Sequence, residues 1–458
     1  MEFPMNRLSF IKYPKHQMKK LILLFFTAIY SISLAAKPVK PLPAYLDLGT
    51  AVNAMNMVMI HDVVPPPVAA RFYSYAMLTA YQIVSQSDKK VPAPAAFVHN
   101  FPANLVSPEK DYDYRIAAIY GMLETIKIIM PSGYMVQEDQ DKFLAALKED
   151  KISQAVIDQS IDAAKKVTAQ VVAYAKTDNY GKLSTRLRYT PKKGDGYWYP
   201  TPPAYLDPVE PNWKTIKPLV IDSAAQFKPM PPIEFSKDST SAFYKLAKEV
   251  RDANINMSEE NLMIASFWDC NPFAVTTSGH MMIGFKKISP AGHWMNIACL
   301  ATKQLNISFN QSVLVVTMES IALMDGFLSC WDEKYRSNRI RPETYINKYI
   351  DLNWKPILQT PPFPEYTSGH AVGSNASATM LTYLLGDNFK YTDDTEVPYG
   401  VGPRDFTSFN QAAEEASISR LYGGIHYLDS INEGNKQGKA VANHIIEKIK
   451  KAGIGRKR

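Results

Sequence analysis

The amino-acid sequence predicts an all-α protein made of two helical halves joined by a crossover rich in proline and aromatic residues. Apolar residues return every three to four positions along most of the 458-residue chain, which is the spacing of amphipathic helices. No run of useful length alternates between apolar and polar residues as a half-buried strand does. With 46% hydrophobic residues, the chain has enough apolar surface for a full core.

The predicted helices fall into two groups. The N-terminal half, residues 37–188, is expected to hold helices at 68–84, 115–130, 141–146 and 152–175. The C-terminal bundle, residues 241–450, is expected to hold helices at 241–254, 258–268, 293–303, 311–334, 373–385, 410–421 and 431–449.

Residues 189–240 are predicted to form the crossover between the halves. Prolines recur from Pro191 to Pro232 and forbid a continuous helix there. Tyrosine and tryptophan residues, among them Trp198 and Trp213, are interleaved with these prolines. A disordered linker would carry fewer large aromatic residues, so we expect an ordered segment.

Residues 1–36 are predicted to be a cleaved signal peptide. Two lysines precede an apolar run at 21–34, and small residues follow it at a cleavage point. The run is shorter than the ~20 residues that a spanning helix needs, and no later stretch is predicted to span a membrane. We therefore expect an exported protein, periplasmic or secreted, that starts at either Met1 or Met18.

The charge and the cysteines exclude some classes of protein. The formal net charge is +7, but residues 1–35 account for +4 of it and the tail at 451–458 is also basic, so the body is nearly neutral. Nucleic-acid binding is therefore not expected. Cys270, Cys299 and Cys330 are too few for a disulfide framework and are expected to be buried thiols. No Cys-x-x-Cys or His-Glu-x-x-His motif predicts zinc.

The first of three polar clusters is Lys334 with Arg341 and Pro342. Seven residues return to nearly the same face of a helix, about 10.5 Å along its axis. Pro342 disfavours helical geometry at Arg341, which places the arginine at or just past a helix end. Arg336 and Arg339 point elsewhere on this helix and are expected to be solvated.

The second cluster is Ser368-Gly369-His370, which follows a rigid proline-rich stretch. The glycine lets the backbone approach an anion, and the helix expected from Gly373 aims its positive end at the same place. His370 can then act as a general acid or base. A second copy of the tripeptide, at 278–280, shows that the motif alone is weak evidence.

The third cluster is Ser419-Arg420 followed by His426, with a tight turn permitted by Gly423 and Gly424. An arginine fork beside a histidine suits in-line attack on a tetrahedral oxyanion. The guanidinium neutralises equatorial oxygens and the imidazole nitrogen takes an axial position.

The order and spacing of the clusters resemble the signature of vanadium-dependent haloperoxidases and type 2 phosphatidic acid phosphatases. That signature is Lys-x6-Arg-Pro, then Pro-Ser-Gly-His, then Ser-Arg-x5-His, and its order selects residues 368–370 over 278–280. The longer phrase Pro-Pro-Phe-Pro-Glu-Tyr-x-Ser-Gly-His, at 361–370, and Trp331 are similar to the haloperoxidase form. The resemblance implies a helical bundle of the haloperoxidase and acid-phosphatase type.

The resemblance also implies roles for the site residues. His426 would be the axial ligand of vanadium or, in a phosphatase, the nucleophile that becomes phosphorylated, and His370 would move protons. The residues that would bind the oxygens of vanadate or phosphate are Lys334, Arg341, Arg420, Ser368 and Gly369.

Two residues depart from the family pattern. Thr367 stands where the family usually has proline, which should loosen the turn. Ser430 stands four residues after His426, where the family usually has an aspartate that orients the histidine. Either Asp429 or a backbone carbonyl is expected to replace that aspartate.

Three functions remain open from the sequence. The first is a haloperoxidase-like enzyme that uses vanadate and peroxide to oxidise halide. The second is a phosphatase on the same site, acting on a phosphomonoester or a lipid phosphate without a cofactor. The third is a non-catalytic oxyanion-binding protein, against which the retention of both histidines argues. The sequence does not decide the halide, the ester or the oligomeric state.

Overall fold

The computed structural model describes residues 42–103, 112–285 and 287–455, and this part of the chain holds thirteen α-helices and two small sheets. The predicted all-α class is therefore confirmed. The predicted signal peptide at 1–36 and the last three residues of the basic tail lie outside the described residues.

Five helices form the N-terminal half. They are α1 Leu48–His61, α2 Pro66–Ser87, α3 Tyr114–Ile129, α4 Gln137–Glu149 and α5 Gln154–Ala175. The sequence analysis missed α1, whose start is fixed by the Asp47 carboxylate accepting a hydrogen bond from the Gly49 amide at 2.9 Å.

Eight helices form the C-terminal half. They are α6 Ala242–Ile255, α7 Glu259–Phe267, α8 Pro290–Gln304, α9 Phe309–Ser337, α10 Pro342–Tyr349, α11 Gly369–Leu385, α12 Phe409–Tyr422 and α13 Leu428–Lys451. Helix α10 was not predicted from the sequence, and α11 begins four residues before its predicted start. Arg341 lies just before α10, with proline in the first helical position, so its predicted place at a helix boundary is correct.

The central element is α9, which packs against α2, α8, α11 and α13. By length and composition it could cross a membrane, contrary to the expectation that no later stretch would, but 94% of its most apolar stretch is buried inside the protein. Its polar C-terminal turns carry Lys334 to the pocket described below.

The crossover is anchored to α9 by hydrogen bonds. The buried Asp325 carboxylate accepts three of them, from the amides of Leu219, Val220 and Ile221 at 2.8–3.0 Å. Nearer the C-terminal end of α9, the Trp198 amide donates to the Asn338 carbonyl at 2.9 Å. These bonds hold the aromatic segment in place although its regular structure amounts to little more than the 3₁₀ helix Trp213–Thr215.

Two antiparallel hairpins are the sheets of the described chain. β1 Val275–Ser278 pairs with β2 Met281–Gly284, and β3 Tyr391–Asp393 pairs with β4 Arg404–Phe406. The second Ser-Gly-His copy forms the exposed turn of the first hairpin, where Gly279 takes a left-handed φ of 59°. It lies outside the pocket, in agreement with the choice of residues 368–370.

Candidate oxyanion site

Four segments of the C-terminal half meet at one pocket: the end of α9, the start of α10, the start of α11 and the turn between α12 and α13. The pocket contains about 410 Å³ of empty space, including its open mouth. The sequence-predicted residues that the structure brings together here are Lys334, Arg341, Ser368, Gly369, His370, Arg420 and His426.

Arg341 is fully buried and reaches across the pocket to His426. Its Nε donates to the Phe363 carbonyl at 2.9 Å, and its Nη1 donates to the Ile425 carbonyl at 2.8 Å and lies 3.2 Å from His426 Nε2. Burial lowers the pKa of Arg341 to about 10, so the guanidinium remains charged at neutral pH. Within the described residues, its Nη2 has no hydrogen-bond partner.

Lys334 ties α9 to the segment that precedes α11. Its Nζ donates to the carbonyls of Pro364 at 3.2 Å, Glu365 at 3.1 Å and Thr367 at 2.5 Å. Burial lowers the pKa of Lys334 to about 8, which keeps most of the ammonium charged at pH 7. The side chain therefore adds positive charge to the pocket and also fixes the backbone around Ser368.

Arg420 and His370 face the same space. Arg420 Nη1 donates to the Trp268 carbonyl at 2.8 Å. In the part of the chain that the structure describes, Arg420 Nε and His370 Nε2 are buried atoms without hydrogen-bond partners. Burial holds the pKa of His370 well below its usual value, and the charges of Arg420 and His426 lower it further. His370 is thus neutral at pH 7.

His426 is oriented by Glu365, a residue that the sequence analysis did not assign to the site. His426 Nδ1 lies 2.7 Å from Glu365 Oε1, so the proton is assigned to Nδ1 and the lone pair to Nε2. The Ser430 hydroxyl is more distant, 3.5 Å from the same Nδ1. Burial and the neighbouring Arg341 hold the pKa of His426 well below its usual value. Its neutral Nε2 is therefore available as a ligand.

Asp429 does not contact His426, so its expected role as the replacement for the aspartate is wrong. Its two carboxylate oxygens instead accept from Arg339 Nη1 and Nη2, both at 2.9 Å. Arg339 was expected to be solvated but is only 4% exposed, with its guanidinium 4.5 Å from the Tyr427 ring centre. The pair clamps the end of α9 to the start of α13.

The start of α11 presents backbone donors to the pocket. Ser368 caps the helix, and its Oγ accepts from the Ala371 amide at 3.4 Å. Because α11 begins at Gly369, its positive end lies at the Ser-Gly-His motif itself. A Cβ added to Gly369 would lie 3.7 Å from Trp331 and 3.9 Å from Lys334, both ordinary contacts.

Thr367 is held firmly where a looser turn was expected. Its buried hydroxyl donates to Gln437 Oε1 on α13 at 2.7 Å. Proline has no hydroxyl and could not make this bond. With threonine at position 367, a side-chain hydrogen bond restrains the turn in place of a proline ring.

The rest of the pocket wall is mostly apolar. The rings of Trp331 and Phe363 pack with their centres 5.0 Å apart, and Phe273 and Phe327 lie in the same wall. The remaining lining residues are Pro66, Cys270, Asn271, Pro272, Pro290 and Pro361. Trp331 Nε1 donates to the Val209 carbonyl at 3.2 Å, so the crossover supports this wall from behind. Such walls exclude water and strengthen the electrostatic interactions of the buried cations.

These residues fit vanadate or phosphate. Arg341 Nη2 and Arg420 Nε are charged, buried donors that lack acceptors within the described residues, and a tetrahedral oxyanion supplies oxygens to both. The lone pair of His426 Nε2 would suit a bond to the central atom of such an oxyanion. The bundle and its pocket therefore define a helical oxyanion-binding protein.

Comparisons with known proteins extend this description. The chain is 42% identical to a protein whose structure is described as that of the first bacterial vanadium-dependent iodoperoxidase, with a TM-score of 0.82 over 90% of this chain and 97% of that one. Holo-type and apo-type bacterial vanadium-dependent chloroperoxidase structures share the fold, at 14% and 13% identity and TM-scores of 0.63 and 0.60. Each match covers 85% of this chain, and 93% and 96% of those chains.

A family model described as the VCPO second helical-bundle domain matches residues 350–453, a range that contains two of the four pocket segments, the start of α11 and the turn between α12 and α13. No curated protein sequence matches the chain. On the extent and identity of the iodoperoxidase match, the chain belongs to the vanadium-dependent haloperoxidase family, a family of enzymes.

Proposed function

We propose that this protein is a vanadate-dependent haloperoxidase that uses hydrogen peroxide to oxidise a halide. The balanced reaction is X⁻ + H₂O₂ + H⁺ → HOX + H₂O. The observation that carries the proposal is the His426 Nε2 lone pair, fixed by Glu365 at 2.7 Å from Nδ1 and placed beside buried guanidinium donors. Family membership and the fit of the pocket to an oxyanion support it.

The residues divide the work of holding vanadate. His426 Nε2 would bind the vanadium, while Arg341, Arg420 and Lys334 would neutralise the oxygens and the Gly369 amide would donate a further hydrogen bond. Bound vanadate supplies a Lewis acid that activates peroxide towards halide. Because these cations are already fixed in the pocket, little rearrangement of the protein is needed when negative charge develops in the transition state.

His370 would handle the protons of the reaction. The buried, neutral Nε2 has no partner within the described chain and can accept a proton from incoming peroxide. Negative charge beside this imidazole would raise its proton affinity and so help it to accept that proton. The imidazolium could then donate the proton in a later step.

Iodide is the first halide to test. The 42% identical relative is described as an iodoperoxidase, and iodide is the most easily oxidised of the common halides. The aromatic wall of Trp331 and Phe363 would favour a large, polarisable anion over a strongly hydrated one.

The deciding experiment uses the purified chain with and without orthovanadate. Oxidation of iodide, bromide and chloride by peroxide is measured beside hydrolysis of an aryl phosphate. Halide oxidation that depends on vanadate supports the proposal. Phosphate hydrolysis that vanadate inhibits would replace it with a phosphatase acting through phosphorylated His426. Vanadate binding without either activity would leave a non-catalytic binding protein.

Two alanine variants assign the activity to the pocket. His426→Ala should remove vanadate-dependent activity, because it deletes the residue proposed to bind the vanadium. His280→Ala is the matched control, since His280 belongs to the second Ser-Gly-His copy on an exposed hairpin. An unchanged rate in His426→Ala, or an equal loss in both variants, would refute the assignment.

Export is a separate part of the proposal and rests on the sequence of residues 1–36. Expression of the full chain in a Gram-negative host, followed by fractionation and N-terminal sequencing, tests it. The expected product is periplasmic or secreted and begins near residue 37; a cytoplasmic product with an intact N-terminus would contradict it.

A further inference from the structure

A second cluster of ligand-type side chains is buried beside the oxyanion pocket, whose lining includes Cys270 of this cluster. Cys270 follows α7, His293 lies on α8 and Glu396 follows β3, and all three are almost fully buried. Cys270 Sγ lies 3.3 Å from His293 Nδ1 and 3.5 Å from Glu396 Oε1, and Nδ1 lies 3.1 Å from that same oxygen. Three potential metal ligands from distant parts of the chain therefore face one point.

The histidine is held in the orientation that a metal ligand requires. His293 Nε2 lies 2.7 Å from Asp393 Oδ2, while the other oxygen of Asp393 accepts from the Thr395 amide at 3.0 Å. The indole of Trp268 stacks on the imidazole, with ring centres 4.6 Å apart and planes 20° apart. A proton on Nε2 leaves the Nδ1 lone pair directed at the cluster, which is the usual carboxylate–histidine–metal arrangement.

The spacing of the three ligand atoms matches a tetrahedral metal ion. Zinc bonds of about 2.1 Å to nitrogen and oxygen and about 2.3 Å to sulfur separate the ligand atoms by roughly 3.4 to 3.6 Å. The observed separations of 3.1, 3.3 and 3.5 Å lie within about 0.3 Å of that range. Small side-chain rotations suffice to close the difference.

Without a metal, the three atoms are joined by hydrogen bonds, among them a thiol-to-carboxylate bond from Cys270 Sγ to Glu396 Oε1 at 3.5 Å. A single Nδ1 proton can serve only one of its two close neighbours, the thiol sulfur or the carboxylate oxygen. A cation placed between the three atoms serves all of them at once. It would also add positive charge beside the buried carboxylates of Asp393 and Glu396, which otherwise face only the imidazole of His293.

We propose that Cys270, His293 and Glu396 form a binding site for a single transition-metal ion of the zinc class, with Asp393 as the supporting carboxylate. Thiolate, imidazole and carboxylate together favour zinc over magnesium or calcium. Three protein ligands leave the fourth position for water. The ion would anchor the turn 268–270, whose Trp268 carbonyl accepts from Arg420 at 2.8 Å, and would thereby stabilise one wall of the oxyanion pocket.

Metal binding is tested on the full chain without vanadate or substrate. Elemental analysis of the purified protein should find about one zinc per chain. After removal of the metal by a chelator, titration with Co²⁺ should produce a thiolate-to-cobalt charge-transfer absorption that saturates at one equivalent and that Zn²⁺ abolishes. The sulfur signature distinguishes this site from adventitious binding to surface carboxylates.

Three variants define the ligands. Cys270→Ser should abolish the charge-transfer absorption, Glu396→Gln should weaken Co²⁺ binding, and Asp393→Asn should weaken it about 10- to 100-fold. Cys299→Ser is the matched control, because Cys299 is also a buried free thiol but lies outside the cluster. The control should bind Co²⁺ like the wild type.

The wild-type titration alone can overturn the proposal, even if a variant fails to fold. No charge-transfer absorption at excess Co²⁺, together with no zinc in the purified protein, would show a metal-free hydrogen-bonded imidazolium instead. An absorption that survives in Cys270→Ser would place the metal elsewhere. Neither result would affect the proposed haloperoxidase activity, which depends on His426.

Discussion

Replacement of Glu365 by glutamine tests whether this carboxylate controls His426. The change keeps the shape of the side chain but replaces an acceptor-only group with an amide that can also donate. Glu365 Oε1 lies 2.7 Å from His426 Nδ1 and also accepts from the Tyr427 amide at 3.2 Å. If the amide NH₂ turns towards Nδ1, the imidazole proton must move to Nε2, which removes the lone pair proposed to bind vanadium.

The expected loss of vanadate affinity can be estimated because Glu365 contacts the residue proposed to bind vanadium and not the vanadate itself. Loss of such a partner typically weakens metal binding about 10- to 100-fold, equivalent to roughly 1.4 to 2.8 kcal/mol at 25 °C. Glu365 is fully buried, so water does not replace the missing acceptor. We therefore expect vanadate affinity to fall by at least about tenfold in Glu365→Gln.

Calorimetric titration of the apo-protein with orthovanadate measures this affinity, and activity reconstituted at rising vanadate concentrations gives an independent value. Ser430→Ala is the matched control, because the Ser430 hydroxyl is 3.5 Å from the same Nδ1 and contributes little. Circular dichroism checks that both variants are folded. Wild-type affinity in Glu365→Gln, or an equal loss in Ser430→Ala, would refute the orientation of His426 by Glu365.

Three further predictions concern the pocket and the core. Gly369→Ala should fold normally, because the new Cβ meets Trp331 at an ordinary 3.7 Å, but should weaken vanadate binding by crowding the helix start; unchanged affinity would show that the anion does not approach this backbone. Asp325→Asn should lower the free energy of unfolding by about 2–4 kcal/mol in urea titrations, because one carboxylate serves three amides; a loss below 1 kcal/mol would show that the crossover is anchored otherwise. Burial raises the pKa of Glu319 to about 8, so the native state holds a proton that the unfolded state releases near pH 4.5, and stability should fall between these pH values by up to roughly 5 kcal/mol. Glu319→Gln should remove this fall in unfolding experiments at pH 5 and pH 8, and an unchanged pH dependence would contradict it.

The residues that meet at the pocket could be predicted because the order and spacing of the three clusters match a known family signature. The spacing of Lys334 and Arg341 around a helix end, and the turn between Arg420 and His426, are local properties that a sequence displays directly. Most helices were likewise evident from their apolar period. The helix α10 was missed because it has only eight residues, too few for a period to be seen.

The partners of the charged residues could not be predicted from local spacing. Local spacing pointed to Asp429 at the start of α13 as the carboxylate partner of His426, but the partner is Glu365, sixty-one residues earlier in the chain. Asp429 is then available to pair with Arg339, ninety residues away. The sequence did hold one signal for this partner. Glu365 lies within the stretch at 361–370 that is similar to the haloperoxidase form, but the resemblance assigned it no role.

The replacement of the usual aspartate by Ser430 is consistent with how closely α13 packs on α11. Gly434 and Gly438 follow Ser430 at intervals of four and share its face of α13. A Cβ on Gly438 would lie 2.2 Å from the Val372 carbonyl oxygen, and one on Gly434 would lie 2.9 Å from Ala371, so side chains there would force the helices apart.

Close packing of the two helices also sets the position of the anion-binding turn. The Ser368 amide donates to the Ser430 carbonyl at 3.3 Å, so the start of α11 is bonded directly to the backbone of α13. Ser430 extends the row of small residues formed by Gly434 and Gly438, so the two helices can also approach closely at this hydrogen bond. The orienting carboxylate is instead supplied by Glu365, whose own backbone carbonyl accepts from Lys334. One residue thus links the position of a cation to the protonation of the proposed vanadium ligand.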